Sequence, residues 1–196
     1  MPPSVDSEEI GLVTRAKRGD LEAFEALYNR YKGPIYRTAL AIIGDRPGAE
    51  EILQDTFLRA FKHMDSVRDG VSLSPWLHRI AVNLAYDWAN GRRKWQATID
   101  RVVEQFIPLS SVSPEQTVEE RELYELVYEA IGKLEFRQRA TLVLFYLHAF
   151  SLAEIAGIMD CPLGTVKSRL FHARENLRRE ILADQRLAVG LIYEFT

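Results

Sequence analysis

Apolar side chains recur at intervals of three and four along most of the chain, and no stretch sustains an alternation of period two. The pattern predicts an all-α protein. Residues 6–18 and 20–43 read as the first two helices, the second with Phe24, Leu27, Tyr28, Tyr31, Ile35, Ala39 and Ile42 along one face. Gly19 ends the first and Asp20 is placed to cap the second, which accounts for Arg18-Gly19-Asp20 without invoking the adhesion tripeptide it spells. Gly33-Pro34 is expected to bend the second helix. After a turn cluster from Gly44 to Gly48, residues 49–64 bury Ile52, Leu53, Thr56, Phe57, Ala60, Phe61 and Met64, with Glu50, Glu51, Gln54, Asp55, Leu58, Arg59 and Lys62 outside. Asp65 to Ser74 has the composition of a loop. A fourth helix from Pro75 to about Asn90 buries Trp76, Leu77, Ile80, Ala81, Leu84, Ala85 and Trp88, and turns His78, Arg79, Asn83, Tyr86 and Asp87 outward.

The pattern then changes. Gly91 to Trp95 closes that helix in a basic cluster, periodicity fades from Gln96 to Val118, and Pro108, Ser110, Ser111, Ser113 and Pro114 mark an extended linker. Two small helical domains follow from this, residues 6–95 and 119–183, joined by 96–118 and followed by a tail, 184–196. In the second domain Glu119 to Leu134 and Phe136 to Ala149 lead into the closing segment, with Leu142, Phe145 and Tyr146 as core positions.

That closing segment, Ser151 to Arg179, reads as a helix-turn-helix. Leu152, Ile155, Ala156 and Met159 form the inward face of the short helix, and Asp160 to Gly164 breaks the run. Pro162 suits the first turn of a new helix, and Gly164 would permit close backbone approach. In the longer helix Val166, Leu170, Ala173 and Leu177 make the buried stripe. Thr165, Ser168, Phe171 and His172 then point outward, with Lys167, Arg169, Arg174 and Arg178 around them. Base edges can meet the first set and phosphates the second.

Charge sharpens this reading. The 196 residues hold 25 Lys plus Arg against 28 Asp plus Glu, a net charge of -3, yet Leu163 to Arg179 carries five basic residues against one acidic. Positive charge is concentrated rather than spread, as an electrostatic footprint for DNA requires, while the acidic total predicts weak non-specific affinity and the need for a partner. At 47% hydrophobic the composition is that of a folded globular protein. The single cysteine, Cys161, excludes an internal disulfide and is expected as a small buried residue of the turn. His63, His78, His148 and His172 have no metal-ligand spacing, so neither a metal nor a cofactor is expected. The N-terminal segment has no basic leader with an apolar core, and no run approaches the roughly 18 apolar residues of a membrane span. The expectation is a cytoplasmic protein without membrane insertion. The tail from Leu187 onward is unusually apolar, which suits docking on the second domain or a partner.

The order of parts resembles the sigma-70 family of bacterial RNA polymerase specificity subunits, in its extracytoplasmic-function branch, over about residues 10–183. Three segments carry the resemblance: Glu50 to Phe61, Pro75 to Asp87 and Gly164 to Arg174. It implies a sigma factor without catalysis or catalytic residues, which binds core polymerase, selects promoters by their -35 and -10 elements and assists strand opening. Glu51, Gln54, Asp55, Leu58 and Arg59 would meet the clamp coiled coil of the largest polymerase subunit, and the second domain would meet the flap. Near the -10 element, the loop Ser66 to Ser74 would hold a flipped base through Arg68, Asp69 and Ser72, since extrusion costs stacking that only a hydrogen-bonding pocket returns. His78, Asn83 and Asp87 would lie on the same surface, with Arg92, Arg93 and Lys94 on phosphates. At the -35 element the resemblance implies Thr165, Lys167, Ser168, Phe171 and His172 near bases and Arg169 and Arg174 on the backbone. An inhibitory anti-sigma partner is a further implication.

Two other readings compete. A helix-turn-helix repressor explains residues 134–181 but leaves Glu50 to Asp87 without a task. A nucleic-acid enzyme needs convergent titratable groups, which Asp55, Asp87 and the scattered histidines do not form. The position of His172 is often arginine in the family branch. Histidine lacks the bidentate fork that favours guanine, worth roughly 1–3 kcal/mol. His172→Arg is therefore expected to tighten binding to a guanine-containing -35 site about tenfold or more; an unchanged profile across a promoter library would contradict this.

Overall fold

The structure, a computed structural model, describes residues 6–96 and 127–183, without the side chains of 92–96. The 96–118 linker beyond Gln96 and the 184–196 tail lie outside the described residues. All regular structure among those described is helical: α1 Ser7–Lys17, α2 Leu21–Ile43, α3 Arg46–Lys62, a single 3-10 turn Met64–Ser66, and α4 Leu73–Gln96. A helical stretch over residues 127–132 is α5, and α6 Phe136–Tyr146, α7 Leu152–Ile158 and α8 Leu163–Ala183 follow among the described residues. No helix among the described residues is long and apolar enough to cross a membrane.

Local chemistry sets the boundaries. Asp6, Asp20 and Asp45 each cap a helix by accepting from a backbone N–H of its first turn, at Glu8, Ala23 and Gly48 respectively. The expected turn at 44–48 is accordingly shorter, because Asp45 starts α3 at Arg46 and takes Pro47 and Gly48 into its first turn. Gly48 is fixed by packing: a Cβ there would lie 2.4 Å from the Trp88 ring of α4. Helix α2 continues through Pro34.

Helices α1 to α4 pack around Leu27, Ile35, Ile42, Leu73 and Leu77, all fully buried. Removing each such side chain from water contributes about 1.5–3 kcal/mol. Phe61, expected inside, is 50% exposed, although its ring stacks edgewise on Phe24 at 5.1 Å. The hidden polar centre of this half is Glu9. Buried on α1, its Oε1 accepts from the Tyr31 hydroxyl at 2.7 Å, the Leu73 N–H at 2.7 Å and the Ser72 hydroxyl at 3.3 Å. Glu9 thereby satisfies an orphan donor at the start of α4 and ties the preceding loop to α1. Burial and this bond together hold the Tyr31 phenol well above its ordinary range.

The second half, α5 to α8, does not stand apart. Ala140, Val143, Leu144, Phe150, Ile155, Ile158 and Val166 belong to the same continuous buried cluster as the first-half core. Helix α7 packs against α4 and α6 against α2. Arg139 donates from Nη1 to the Ile42 carbonyl at the C-terminus of α2, and from Nη2 to the carbonyls of Gly132 and Leu134. A cation there complements the helix dipole as well as the unpaired carbonyl.

Replacing Glu9 with Ala would leave the Tyr31 hydroxyl and the Leu73 amide buried without their acceptor. The expected cost is about 2–4 kcal/mol of stability, read by urea unfolding; a loss below about 0.5 kcal/mol, the usual size of a surface change, would contradict the role given to Glu9.

Candidate nucleic-acid interface

Helix α7 begins in a capping box: Ser151 Oγ accepts from the Glu154 N–H at 3.3 Å while Glu154 Oε2 accepts from the Ser151 N–H at 2.8 Å. Phe150 before the cap and Ile155 at its fourth position are both buried, the two sites of a hydrophobic staple. The turn into α8 uses Asp160 at φ 48° as its left-handed residue. Gly164, expected to allow close approach, has no heavy atom within 4 Å of a Cβ placed on it. Its freedom is unused because Asp160 makes the reversal. Cys161 is half-buried and accepts from Arg169 Nη1 at 3.3 Å.

The outward side of α8 has the expected form. Val166, Leu170 and Ala173 are buried, so Lys167, Ser168, Phe171 and His172 are left exposed in successive turns, with Thr165 half-buried at the edge. The Phe171 and His172 rings stand edge to face at 5.4 Å. The two arginines expected on phosphates have local partners in the free chain, with Arg169 half-buried and Arg174 exposed. Arg169 lies on Cys161, and the Arg174 guanidinium sits 5.4 Å from the centres of both Phe145 and Tyr146. Tyr146, expected in the core, is 59% exposed beneath it.

On α3, Glu51, Gln54, Leu58 and Arg59 are exposed and Asp55 is half-buried. Leu58, 58% exposed, is joined by Phe61 one turn later, so the surface is more apolar than periodicity alone implies. The loop before α4 keeps Arg68 exposed. Asp69 pairs with Lys17, and Ser72 is occupied by Glu9, which removes it from the set of free donors.

His78 departs most from expectation. Read as outward-facing, it is fully buried, 4.5 Å from the His148 ring and 4.9 Å from Phe150 between ring centres. Its neighbours along the same stripe of α4 reach the second half as well, although Arg79 and Tyr86 stay exposed, as expected. Arg79 Nη2 lies 3.3 Å from Asp160 of the turn, Val82 is buried, and Tyr86 stacks on Phe136 at 5.3 Å with Arg137 over its ring. The outward face of α4 is therefore an interface between the two halves. Asn83 and Asp87 remain exposed beside it, while the side chains of Arg92, Arg93 and Lys94 lie outside the described residues.

Hydrogen bonds assign the imidazole protons. The Ser74 carbonyl, 2.8 Å from His78 Nδ1, can only accept, so Nδ1 carries the proton and Nε2 is left without a hydrogen-bond partner among the described residues. The Thr38 hydroxyl donates to the Pro34 carbonyl at 3.0 Å, so it accepts from His148 Nε2, 2.6 Å away. Burial pushes the His78 pKa down to about 4. His148 is likewise pushed down to about 4, by burial, then by His78 and by Arg37 of α2. Sequence periodicity did not reveal His148 and Phe150 as the cover of α4, because Ala149 between them takes φ 53°; the staple position of Phe150 was the available signal.

Several known proteins are similar to this chain. Residues 27–95 match the family described as Sigma-70 region 2, and residues 124–177 match Sigma-70, region 4. The ECF RNA polymerase sigma-E factor of Escherichia coli strain K12 is 36% identical over 179 residues, which cover 87% of this chain and 92% of that protein. The ECF RNA polymerase sigma factor SigW of Bacillus subtilis strain 168 is 33% identical, over 86% of this chain and 94% of the relative. Among solved structures, sigma factor RpoE in complex with the anti-sigma factor NepR from Bartonella quintana superposes with TM-score 0.65 at 25% identity, over 83% of this chain and 98% of that one. CnrH in complex with the cytosolic domain of CnrY gives TM-score 0.68 at 22% identity, over 91% and 100%.

The buried histidines make the interface sensitive to acid. Each imidazole is neutral when the halves are packed and regains its ordinary pKa when they part. Their contribution to closure is full above about pH 6.5 and falls as pH drops toward 4. Small-angle scattering between pH 7.5 and 4.5 is expected to show the chain expanding. His78→Leu combined with His148→Gln, which keeps an acceptor and donor near Thr38, should shift that expansion to lower pH; equal expansion of both proteins would contradict the role given to the two histidines.

Proposed function

The chain belongs to the sigma-70 family, in its extracytoplasmic-function branch, and on that premise we propose how its residues divide the work of promoter selection. It is a transcription initiation factor rather than an enzyme: it binds core RNA polymerase and directs it to promoters. In our reading Gln54, Leu58 and Arg59, with Glu51 and Asp55 at the edge, dock α3 on the polymerase clamp, and the exposed pair of Leu58 and Phe61 supplies the apolar contact. Lys167, Ser168, Phe171 and His172 face the -35 element. Arg169 and Arg174 swing from Cys161 and from the aromatic pair to reach phosphates. Asn83, Asp87, Arg68 and Asp69 serve the -10 strand, joined by Arg92, Arg93 and Lys94. Residues 6–95 and 119–183 act as the two reading units.

One observation carries the mechanism: α4 and α7 touch. The two elements are about 25 base pairs apart by their names, about 85 Å of duplex at 3.4 Å per base pair. Two units packed on each other cannot reach both, so the halves must separate on the polymerase. Separation uncovers His78 and frees Arg79 and Tyr86 from their partners in the second half, beside Asn83 and Asp87. The linker 96–118 comprises about 23 residues, with a reach of about 80 Å at full extension, so its length permits this. The packed arrangement is then a storage form. The likeness to the sigma factor RpoE in complex with the anti-sigma factor NepR supports an anti-sigma partner that stabilises it, and work on polymerase and promoter supports a cytoplasmic location.

Run-off transcription with core polymerase, with and without the protein, tests the function; start-site selection that appears only on its addition is the expected result, and its absence would refute the assignment. Gln54→Ala with Leu58→Ala is expected to weaken core binding about tenfold, about 1.4 kcal/mol, while binding of the intact variant to -35 duplex alone stays unchanged. Equal loss in both assays would contradict the division of roles.

A further inference from the structure

A groove of about 380 Å³ runs between α6 and the last turns of α8, floored by Leu142, Tyr146, Leu177, Ile181 and Leu182. It is apolar and unfilled by any described residue, and Tyr146 and Leu182 stand 59% and 64% exposed at its edges. Arg174 and Arg178 line it as well, and neither pairs with a carboxylate among the described residues. Surfaces of this kind, large apolar side chains under a basic rim, are costly to leave in water and mark contact sites.

We propose that the groove is the seat of the chain's own tail, Leu187 to Phe195. Three features point to this occupant. The groove reaches Leu182, one residue before α8 ends at Ala183, so the tail starts at the groove's mouth. The intervening Asp184-Gln185-Arg186 is polar, a composition that suits a solvated connection. The tail matches the groove in chemistry: Leu187, Val189, Leu191, Ile192, Tyr193 and Phe195 are apolar, Gly190 permits a bend, and Glu194 is the single charge among them, opposite in sign to Arg174 and Arg178. A segment tethered by so short a connection is present at millimolar effective concentration, so modest intrinsic affinity keeps it bound. Seated there, the tail would also hold Arg174 in place over Phe145 and Tyr146, beside the outward face of α8.

The inference does not rest on the transcription reading, because its test uses the protein alone. In a full-length Cys161→Ser background, Tyr146→Cys is paired with Leu191→Cys and treated with a short bis-maleimide. The expected result is an intramolecular cross-link in most molecules, reduced at least fivefold by Ile181→Asp and absent when Leu21→Cys, on the other half, replaces Tyr146→Cys. Hydrogen exchange adds a measurement without cysteines: Leu191→Asp with Ile192→Asp should speed exchange of amides in 142–146 and 177–182 about tenfold. Cross-links only between copies would make a second chain the occupant, and no cross-link with unchanged exchange would leave the groove to another protein; either result overturns the proposal.

Discussion

The burial of His78 under His148 and Phe150 decides how this molecule is put together. Helix α4 has two faces: one closes the core of α1 to α3 through Leu77, Ala81, Leu84 and Ala85, and the other meets the second half, with His78 buried under His148 and Phe150 and the exposed Tyr86 stacked on Phe136. Each half leaves part of its apolar surface for the other. The result is a main core shared by both halves, beside a small second cluster of Leu134, Leu142 and Ala173 within the second half. The seam nevertheless contains imidazoles, a hydroxyl, an exposed ion pair and a ring stack, which lose less on wetting than an aliphatic core would. An interface so composed can hold the halves together and still release them to a partner that offers better contacts.

This constraint explains why the DNA-facing residues divide into two groups. In the proposed reading, those on α8 at Lys167, Ser168, Phe171 and His172, like Asn83 and Asp87 of α4, are already in solvent, whereas His78 becomes available only when the halves part. The arginines follow the same logic. Arg169 on Cys161 and Arg174 on Phe145 and Tyr146 have local partners of modest strength, each of which a phosphate exceeds, since charge-assisted bonds to anions are about twice as strong as neutral ones. In the proposed reading, for a protein whose net charge is -3, arginines held by such local partners would keep free DNA affinity low and reserve it for the assembled complex.

Much of this was legible in the residue pattern. The periodicity of Val166, Leu170 and Ala173 identified the buried side of α8, and Asp20 was recognised as a cap before α2. The exposed Leu58 stood out because its neighbours are polar. Tertiary relations were hidden. Glu9 reads as one more acidic residue near an N-terminus, and nothing local indicates that it accepts from Tyr31 and Leu73, 22 and 64 positions away. His78 was misplaced for a related reason: periodicity shows which face of a helix is polar, and a polar face is taken to be wet. Here a second domain covers it. Tyr146 was misread in the opposite direction, since an aromatic at helical spacing looks like core, yet the groove beside it is open in the described chain.

The central claim is that a closed form in which α4 and α7 touch must open for both promoter elements to be read. Its most direct test is the distance between spin labels on the exposed Glu22 of α2 and Arg179 of α8, outside both proposed binding surfaces, measured by pulsed electron resonance in a Cys161→Ser background. The account predicts a single short distance in the free protein and one longer by several tens of ångströms once core polymerase and promoter DNA are bound. The same distance in both states would contradict it.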